Sequence, residues 1–265
     1  MQPPYLVCFD FETTSAEPRT ARAVQLAAIG FDYSLIPPQE KILTNEVLNP
    51  EVTICHEAAA VHGITQEQAS KGRVDKLACA DLTDVLFNLR SKHEVVLAGH
   101  NSLGFDLPIL ERLSGASLQD FPHIDTLVAA TRLFPDAPNH KLSVSSAEDQ
   151  QKFGGPGLIQ SLGLGTGEGA HDALADVRMV VALVEYCARG LGKSLVELAD
   201  WCAEPRVLTV VHFGKHRGKH WKDVPSGYIR FICEKFDTPT PDLVATVWHW
   251  HKEKFACMRK RPCSA

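Results

Sequence analysis

The chain has 265 residues, 45% of them hydrophobic, with 27 Lys and Arg against 32 Asp and Glu and a formal net charge of −5. That length suits one ordinary α/β domain plus something small, the apolar share is enough for a real core, and no low-complexity repeat is present. No apolar stretch approaches membrane-spanning length, and the eight Cys are scattered without a Cys-x-x-Cys pair, which argues against a zinc or redox motif. No signal peptide precedes the first apolar run, so the expectation is an intracellular, reducing compartment, cytoplasm or nucleus.

Taken in chain order, Tyr5 to Phe11 is a short apolar run that predicts a buried strand. Asp10 and Glu12 interrupt it two residues apart, so they share one face, roughly 7 Å from each other. An unpaired buried carboxylate is costly, and acids in such a strand therefore need a reason. His62-Gly63 reads as a helix C-cap, since glycine tolerates positive φ there. A second apolar run, Val95 to Ala98, opens through the polar stretch His100 to Ser102 into a helix beginning near Leu107, with Asp106 at the junction. Asp125-Thr126 opens a helical run from Leu127 to Leu133, with Asp125 read as its N-cap.

Between residues 154 and 169 the chain carries seven glycines. They fit neither phosphate-loop pattern, and predict instead a mobile segment just ahead of His171. From Asp172 to about Arg189, Ala173, Val177, Val180, Val184 and Cys187 recur at helical spacing. Asp172 would cap this helix, His171 would sit on the loop before it, and Asp176 would lie one turn in. Cys8 and Cys187 are expected to be plain core residues.

These elements carry three motifs. Asp10-x-Glu12, Asn101 with Phe105-Asp106, and His171 with Asp176 resemble the signatures of the DEDDh family of 3′→5′ exonucleases. The resemblance implies a ribonuclease H-like α/β fold, a five-stranded mixed sheet of order 3-2-1-4-5 flanked by helices, with Ala23 to Tyr33 and Lys41 to Leu48 as its second and third strands. It also implies two Mg²⁺ or Mn²⁺ ions held by Asp10, Glu12, Asp106 and Asp176, and His171 as general base. Hard cations of this kind prefer carboxylate oxygens. The partner implied is nucleic acid with a free 3′ end, DNA in preference to RNA, bound through Thr13, Thr14, His62, Gly63, Ile64, Asn101 and Phe105. Ser15 departs from the Gly that many relatives carry after the two threonines. Two other readings share these residues: an RNA-trimming exonuclease, and a proofreading or accessory subunit of a polymerase.

Charge is unevenly distributed. Residues 1–190 hold 14 Lys and Arg against 24 Asp and Glu, and residues 191–265 hold 13 against 8, so the nets are −10 and +5. We therefore expect an exonuclease domain over 1–190 and a small basic α+β module over 191–265. In the module, Ser194-Leu195-Val196-Glu197 is a capping-box signature, Val207 to Phe213 predicts a strand, and Tyr228 to Ile232 predicts a helix. Between them the turn Phe213-Gly214-Lys215-His216-Arg217-Gly218-Lys219 resembles one that follows the catalytic domain in a bacterial branch of the same family. Lys215, Arg217, Lys219 and Lys222, with Trp221 beside them, could grip a strand by phosphate contacts and base stacking. The competing reading is a solvated basic turn. Arg259-Lys260-Arg261 is too short to count as a localisation signal.

Overall fold

A computed structural model describes residues 4–144, 146–235 and 239–252. Six strands form one mixed sheet: β1 (Pro4–Thr13), β2 (Ala23–Asp32), β3 (Gln39–Asn49), β4 (Arg73–Val74), β5 (Glu94–Gly99) and β6 (His123–Asp125), in the order β4-β3-β2-β1-β5-β6. The five expected strands keep their expected order. The count is corrected to six by β4, whose two residues pair with Leu48 and Asn49 of β3 and are too few to show a period in sequence.

Alternation along β1 decides where everything else goes. Tyr5, Val7, Phe9 and Phe11 join one core; Leu6 and Cys8 join the other. The first core is covered by α3 (Asp75–Arg90) and α4 (Asp106–Ser114), which follow the short helices α1 (His56–His62) and α2 (Gln66–Ser70). The second is covered by α5 (Thr126–Leu133) and α8 (Ala173–Leu191), with α6 (Ala147–Phe153) and α7 (Leu158–Ser161) between them in sequence. Because strand side chains repeat every two residues, Asp10 and Glu12 continue the Leu6–Cys8 row and face the side that α8 covers.

Two compact units result, Met1–Cys202 and Ala203–Ala265. The division falls later than 190/191 because helix α9 (Leu195–Ala203) buries Leu195, Leu198, Ala199 and Cys202 in the same core as Val184 and Cys187. Ser194 and Glu197 cap that helix reciprocally, the Glu197 amide donating to Ser194 Oγ and the Ser194 amide to Glu197 Oε2. Cys8 and Cys187 share this core as expected, and every described cysteine is a free thiol. Among the described residues no helix is long and apolar enough to cross a membrane.

The second unit is more helical than expected, with α10 (Ser226–Lys235) and α11 (Pro241–Trp250). The expected strand over 207–213 is reduced to a single antiparallel bridge between Val210 and His220. Side chains of α11 capture the backbone groups a ladder would have used: Arg206 N donates to Asp242, Leu208 N to Thr246 Oγ1, and Trp250 Nε1 to the Leu208 carbonyl. The core here is Val211, Trp221, Ile229, Ile232, Leu243 and Val247.

Candidate active site

The parallel pairing of β1 with β5 ends at Cys8–Ala98, while β1 runs on to Thr13. Past that point β1 has lost one neighbour, and the chain leaving β5 fills the gap with the loop that leads to α4. The Phe11 amide donates not to a strand but to Asp106 Oδ1, 3.1 Å away. Crevices of this kind, beyond the carboxyl ends of parallel strands, are where open α/β sheets take ligands.

Asp106 is the first residue of α4 and 3% exposed. Its loop is held in shape by Asp125, whose carboxylate accepts from three backbone amides: Asn101 at 2.9 Å, Leu103 at 3.1 Å and Leu127 at 2.9 Å. Asp125 is thus the N-cap expected of it, and also a clasp on the loop that delivers Asp106. Asn101 adopts a left-handed backbone, φ 61°, within the grip of that clasp.

From the other side, α8 brings Asp176. Asp172 caps the helix as expected, its Oδ1 accepting from the Ala175 amide at 3.1 Å. His171, with φ 70°, turns the chain into it, and its amide donates to Asp176 Oδ2 at 3.3 Å. One side-chain ligand atom each from Glu12, His171 and Asp176 then lie within 4.8 Å of one another.

This nest of acids is electrostatically unfavourable by itself. Burial, followed by repulsion from Asp106, Asp176, Glu12 and Asp172, holds the Asp10 carboxyl well above the usual carboxylate range. Burial and the neighbouring acids push Glu12 up to about 8. Burial likewise pushes Asp106 to about 8, against the stabilising Phe11 amide, and Asp176 to about 6, against the His171 amide. Burial, then the charge of Lys141, lowers the pKa of His171, so its ring is neutral at pH 7. An all-oxygen set that resists ionisation alone, beside a neutral imidazole, suits a hard divalent cation.

A cavity of about 290 Å³ adjoins the nest. Of the residues expected at the substrate, Thr13, His62 and Phe105 line it, together with Phe11, Cys55 and Val61. Thr14, Gly63, Ile64 and Asn101 are not among its lining residues. Gly63 is the left-handed C-cap of α1, φ 72°, a conformation that favours glycine. Ile64 packs against the small cluster of Val24, Ile54 and Ala69, and the Thr14 hydroxyl accepts from the Arg22 amide at 3.0 Å. The Ser15 carbonyl accepts from the Thr13 hydroxyl at 2.8 Å, and Ser15 itself borders the cavity.

A family model described as "Exonuclease" matches residues 7–184, a span that contains all five of Asp10, Glu12, Asp106, His171 and Asp176. The chain belongs to that exonuclease family. Among curated relatives, exodeoxyribonuclease 10 of Escherichia coli K12 is 26% identical over 231 residues, covering 86% of this chain and 91% of that protein. Among solved structures, E. coli exonuclease I in complex with a 5cy-dT13 oligonucleotide superposes with a TM-score of 0.54 at 22% identity, over 76% of this chain and 43% of that one. The moderately thermophilic exonuclease I from Methylocaldum szegediense gives 0.50 at 23%, over 73% and 42%. This exonuclease therefore spans less than half the length of those two proteins, and at such identities the likeness establishes the fold alone.

Two residues of the exonuclease escaped sequence reasoning. Cys55 caps α1, with Sγ accepting from the Ala58 amide, and borders the cavity; a cysteine at an N-cap gives no sequence signal. Gln25 gave a signal that went unused, since it is polar in an otherwise apolar strand. It stands directly opposite Glu12 in the β1–β2 register and is 6% exposed. Its amide donates to Asp172 Oδ2 at 3.1 Å, and its oxygen accepts from the Ala173 amide at 3.3 Å. Gln25 thus ties the start of α8 to the strand pair that carries Glu12.

Three expectations are corrected or displaced. Trp221 is fully buried in the second unit, so it is not available to stack on a base. The glycine-rich stretch is folded around α7, with Leu158 and Ile159 buried and Gln160 Nε2 donating to Ser143 Oγ and to the Val144 and Thr166 carbonyls. Arg259-Lys260-Arg261 lies outside the described residues.

Proposed function

We propose that the chain is a 3′→5′ exodeoxyribonuclease that releases nucleoside 5′-monophosphates. The observation that carries this reading is the convergence of Glu12, His171 and Asp176 within 4.8 Å, on the sheet face where Asp10 also projects. The DNA assignment rests on the relative named exodeoxyribonuclease 10, nearly all of which this chain covers.

Asp10, Glu12 and Asp176 would hold two divalent ions, Mg²⁺ or Mn²⁺, with Asp106 contributing through water. When bound, such a pair supplies electrophilic stabilisation of the scissile phosphate and of the departing oxygen. His171, neutral at pH 7 and beside Glu12 and Asp176, would accept the proton of the attacking water. Protonated His171 would then be stabilised by those acids, an arrangement that favours charge only after the proton has moved. The cavity takes the terminal nucleoside: Phe11, Val61 and Phe105 offer apolar surface to the base, and Thr13 and His62 offer polar groups to the sugar edge. Burial lowers the His62 pKa, so this ring too enters as a neutral hydrogen-bonding group.

A side-by-side digestion of single-stranded DNA, duplex DNA and RNA, each labelled once at the 5′ and once at the 3′ end, tests the reading. A ladder shortening from the 3′ end, with 5′-mononucleotide as product and DNA preferred, is expected. Shortening from the 5′ end, internal nicks, or preference for RNA would overturn polarity, reaction class or substrate in turn. His171→Asn, which retains a residue tolerant of the left-handed backbone, should lower kcat by about 10²–10⁴ while Mn²⁺ affinity, followed by titration calorimetry, is kept. Loss of metal affinity instead would make His171 a ligand rather than the base.

A further inference from the structure

The second unit carries an excess of positive charge over its own 63 residues: 12 Lys and Arg against 6 Asp and Glu, a net of +6. The catalytic unit carries 15 against 26, a net of −11. A polyanion is repelled by the catalytic unit and attracted by the second unit. Charge alone describes many solvated surfaces, so a binding role needs something more specific than lysines.

That further feature is an aromatic ledge. Tyr228 and Phe231 lie one turn apart on α10, with ring centroids 5.8 Å apart and planes within 16° of parallel. Tyr228 is the inner ring, 8% exposed, whereas Phe231 is 47% exposed with an aromatic face to spare. Among the described residues the unit's buried cluster takes Tyr228, Ile229, Ile232 and Cys233 from this helix and does not include Phe231. Lys215 Nζ stands 5.6 Å from the Tyr228 centroid, and His216 packs edge-on to that ring at 4.5 Å. The basic turn is therefore seated on the ledge. Gly214 makes the seating possible: its φ is +62°, and a Cβ there would strike the Tyr228 hydroxyl. Lys215, Lys219 and Lys222 are exposed, as are Arg217 and Arg230, with Asp223 and Glu234 as the acids on the same segments.

We propose that this surface, Phe231 stacked on Tyr228 and rimmed by Lys215 and Lys219, is a second contact for single-stranded nucleic acid. A base lies on Phe231, and the neighbouring phosphates meet the lysines. Exposed aromatic faces flanked by cations bind single strands this way, tolerant of sequence because every base offers a π face. Duplex fits less well, since its bases are already stacked on one another. An acidic peptide would satisfy the lysines but leave the exposed ring without a counterpart. The proposal rests on the nucleic-acid reading of the chain but not on the catalytic assignment, and its test separates the two.

The test is fluorescence anisotropy of fluorescein-labelled dT₂₀ with the full chain in EDTA, where no cleavage occurs. Phe231→Ala should weaken binding roughly fivefold or more. Phe231→Trp should restore it, and Phe231→Leu, which keeps the apolar contact with Tyr228, should not. Lys215→Ala and Lys219→Ala should each flatten the dependence of log K on log salt by about 0.7. The same length of oligo-U should bind within a few fold, because stacking does not read the sugar. Cleavage of a dinucleotide by Phe231→Ala should equal that of the native chain. Unchanged binding and salt slope in all these variants would leave a solvated turn and sink the proposal. Loss caused by Trp248→Ala, which removes an exposed aromatic on α11, but not by Phe231→Ala would sink it equally, as would displacement of dT₂₀ by polyglutamate with no effect of Phe231. If Phe231→Ala weakens binding but no substrate is cut under any metal, the surface stands and the catalytic reading falls.

Discussion

The acids of the first unit and the cations of the second are both clusters of like charge, yet they are built in opposite ways. Asp10, Glu12, Asp106 and Asp176 come from three separate stretches of chain and are packed inward, so burial and mutual repulsion raise their pKa values. Lys215, Arg217, Lys219 and Lys222 come from one short turn and stay exposed. The first arrangement is held together only by the fold and is costly until a cation arrives; the second costs little and needs no partner to persist. An inward cluster that the structure must force together implies a site selected for what it binds. An outward one requires additional features, here the ledge at Phe231, before it implies anything.

The sharpest way to break the comparison is to remove an inward charge. Asp10→Asn or Asp176→Asn should abolish cleavage, a loss of at least about 10³ in kcat if the metal pair stabilises both attack and departure. Because each substitution also relieves repulsion in the metal-free nest, its melting temperature without metal should not fall. Removing an outward charge such as Lys222 should do neither. Measurable turnover by Asp10→Asn, or a large drop in its metal-free stability, would mean that the acids are structural rather than a metal cage.

A smaller effect tests whether the second unit stands on its own core. Trp221 is its largest fully buried side chain, in edge contact with Phe213 and with its carbonyl accepting from His251. Truncation to alanine should cost about 3–5 kcal/mol in that unit. Hydrogen exchange should then rise over 206–235 while residues 4–144 keep their protection and dinucleotide cleavage continues. Simultaneous loosening of both regions would show that the two units fold as one.

What could be read from the amino acids follows the same division. The strand pattern and the cap residues Asp125, Asp172 and Gly63 were legible because each is fixed by local chemistry, and the five candidate site residues because a short motif marks each of them. Trp221 was misread because a tryptophan in a basic turn looks exposed until the helices that bury it are placed. The Val207–Phe213 run pairs only locally, Thr209 and Val211 with the backbone of 218–221, while Leu208 is taken by Thr246 and Trp250 of α11, more than thirty residues later, which no local signal announces. Thr14 and Ile64, grouped with the substrate residues by their place in a motif, are not among the residues lining the cavity: the Thr14 hydroxyl accepts from the Arg22 amide and Ile64 packs against Val24, Ile54 and Ala69.

Acidity offers a finer probe of the inward cluster. Glu12 and Asp106 are pushed to about 8 and Asp176 to about 6, all above the ordinary carboxylate values they would have in the unfolded chain. A group whose pKa rises on folding favours the folded state while protonated, so this contribution is complete below about pH 4 and fades as pH climbs through 8. Two buried histidines oppose it at the acid end: burial lowers His100 and His123 to about 4, which removes stability as pH falls below 6.5. Between pH 6.5 and 8 the carboxylates act without that opposition. There the metal-free melting temperature should decline, Mg²⁺ should recover it, and the Mg²⁺-induced gain should widen with pH because the ligands must be deprotonated. A gain that is flat with pH, or equal in Asp10→Asn, would dissociate metal binding from these acids.

The smallest expected effect concerns how precisely the cluster is assembled, and it falls on Gln25. Two of its three side-chain hydrogen bonds, those to Asp172 and Ala173, fix the first residues of α8 against the strand opposite Glu12, and so set the separation of Glu12 from His171 and Asp176. Gln25→Leu keeps the volume and the apolar surroundings but leaves Asp172 Oδ2 and the Ala173 amide without this partner. The cost in fold stability should be about 1–3 kcal/mol. A positional loosening of the three groups should lower kcat about tenfold and weaken Mn²⁺ binding, with KM for dT₂₀ unchanged because Gln25 is not among the residues lining the cavity. A merely structural glutamine would lower the melting temperature and leave kcat and Mn²⁺ affinity of the folded fraction intact. An effect on KM alone would place Gln25 with the substrate rather than with the geometry of the acids.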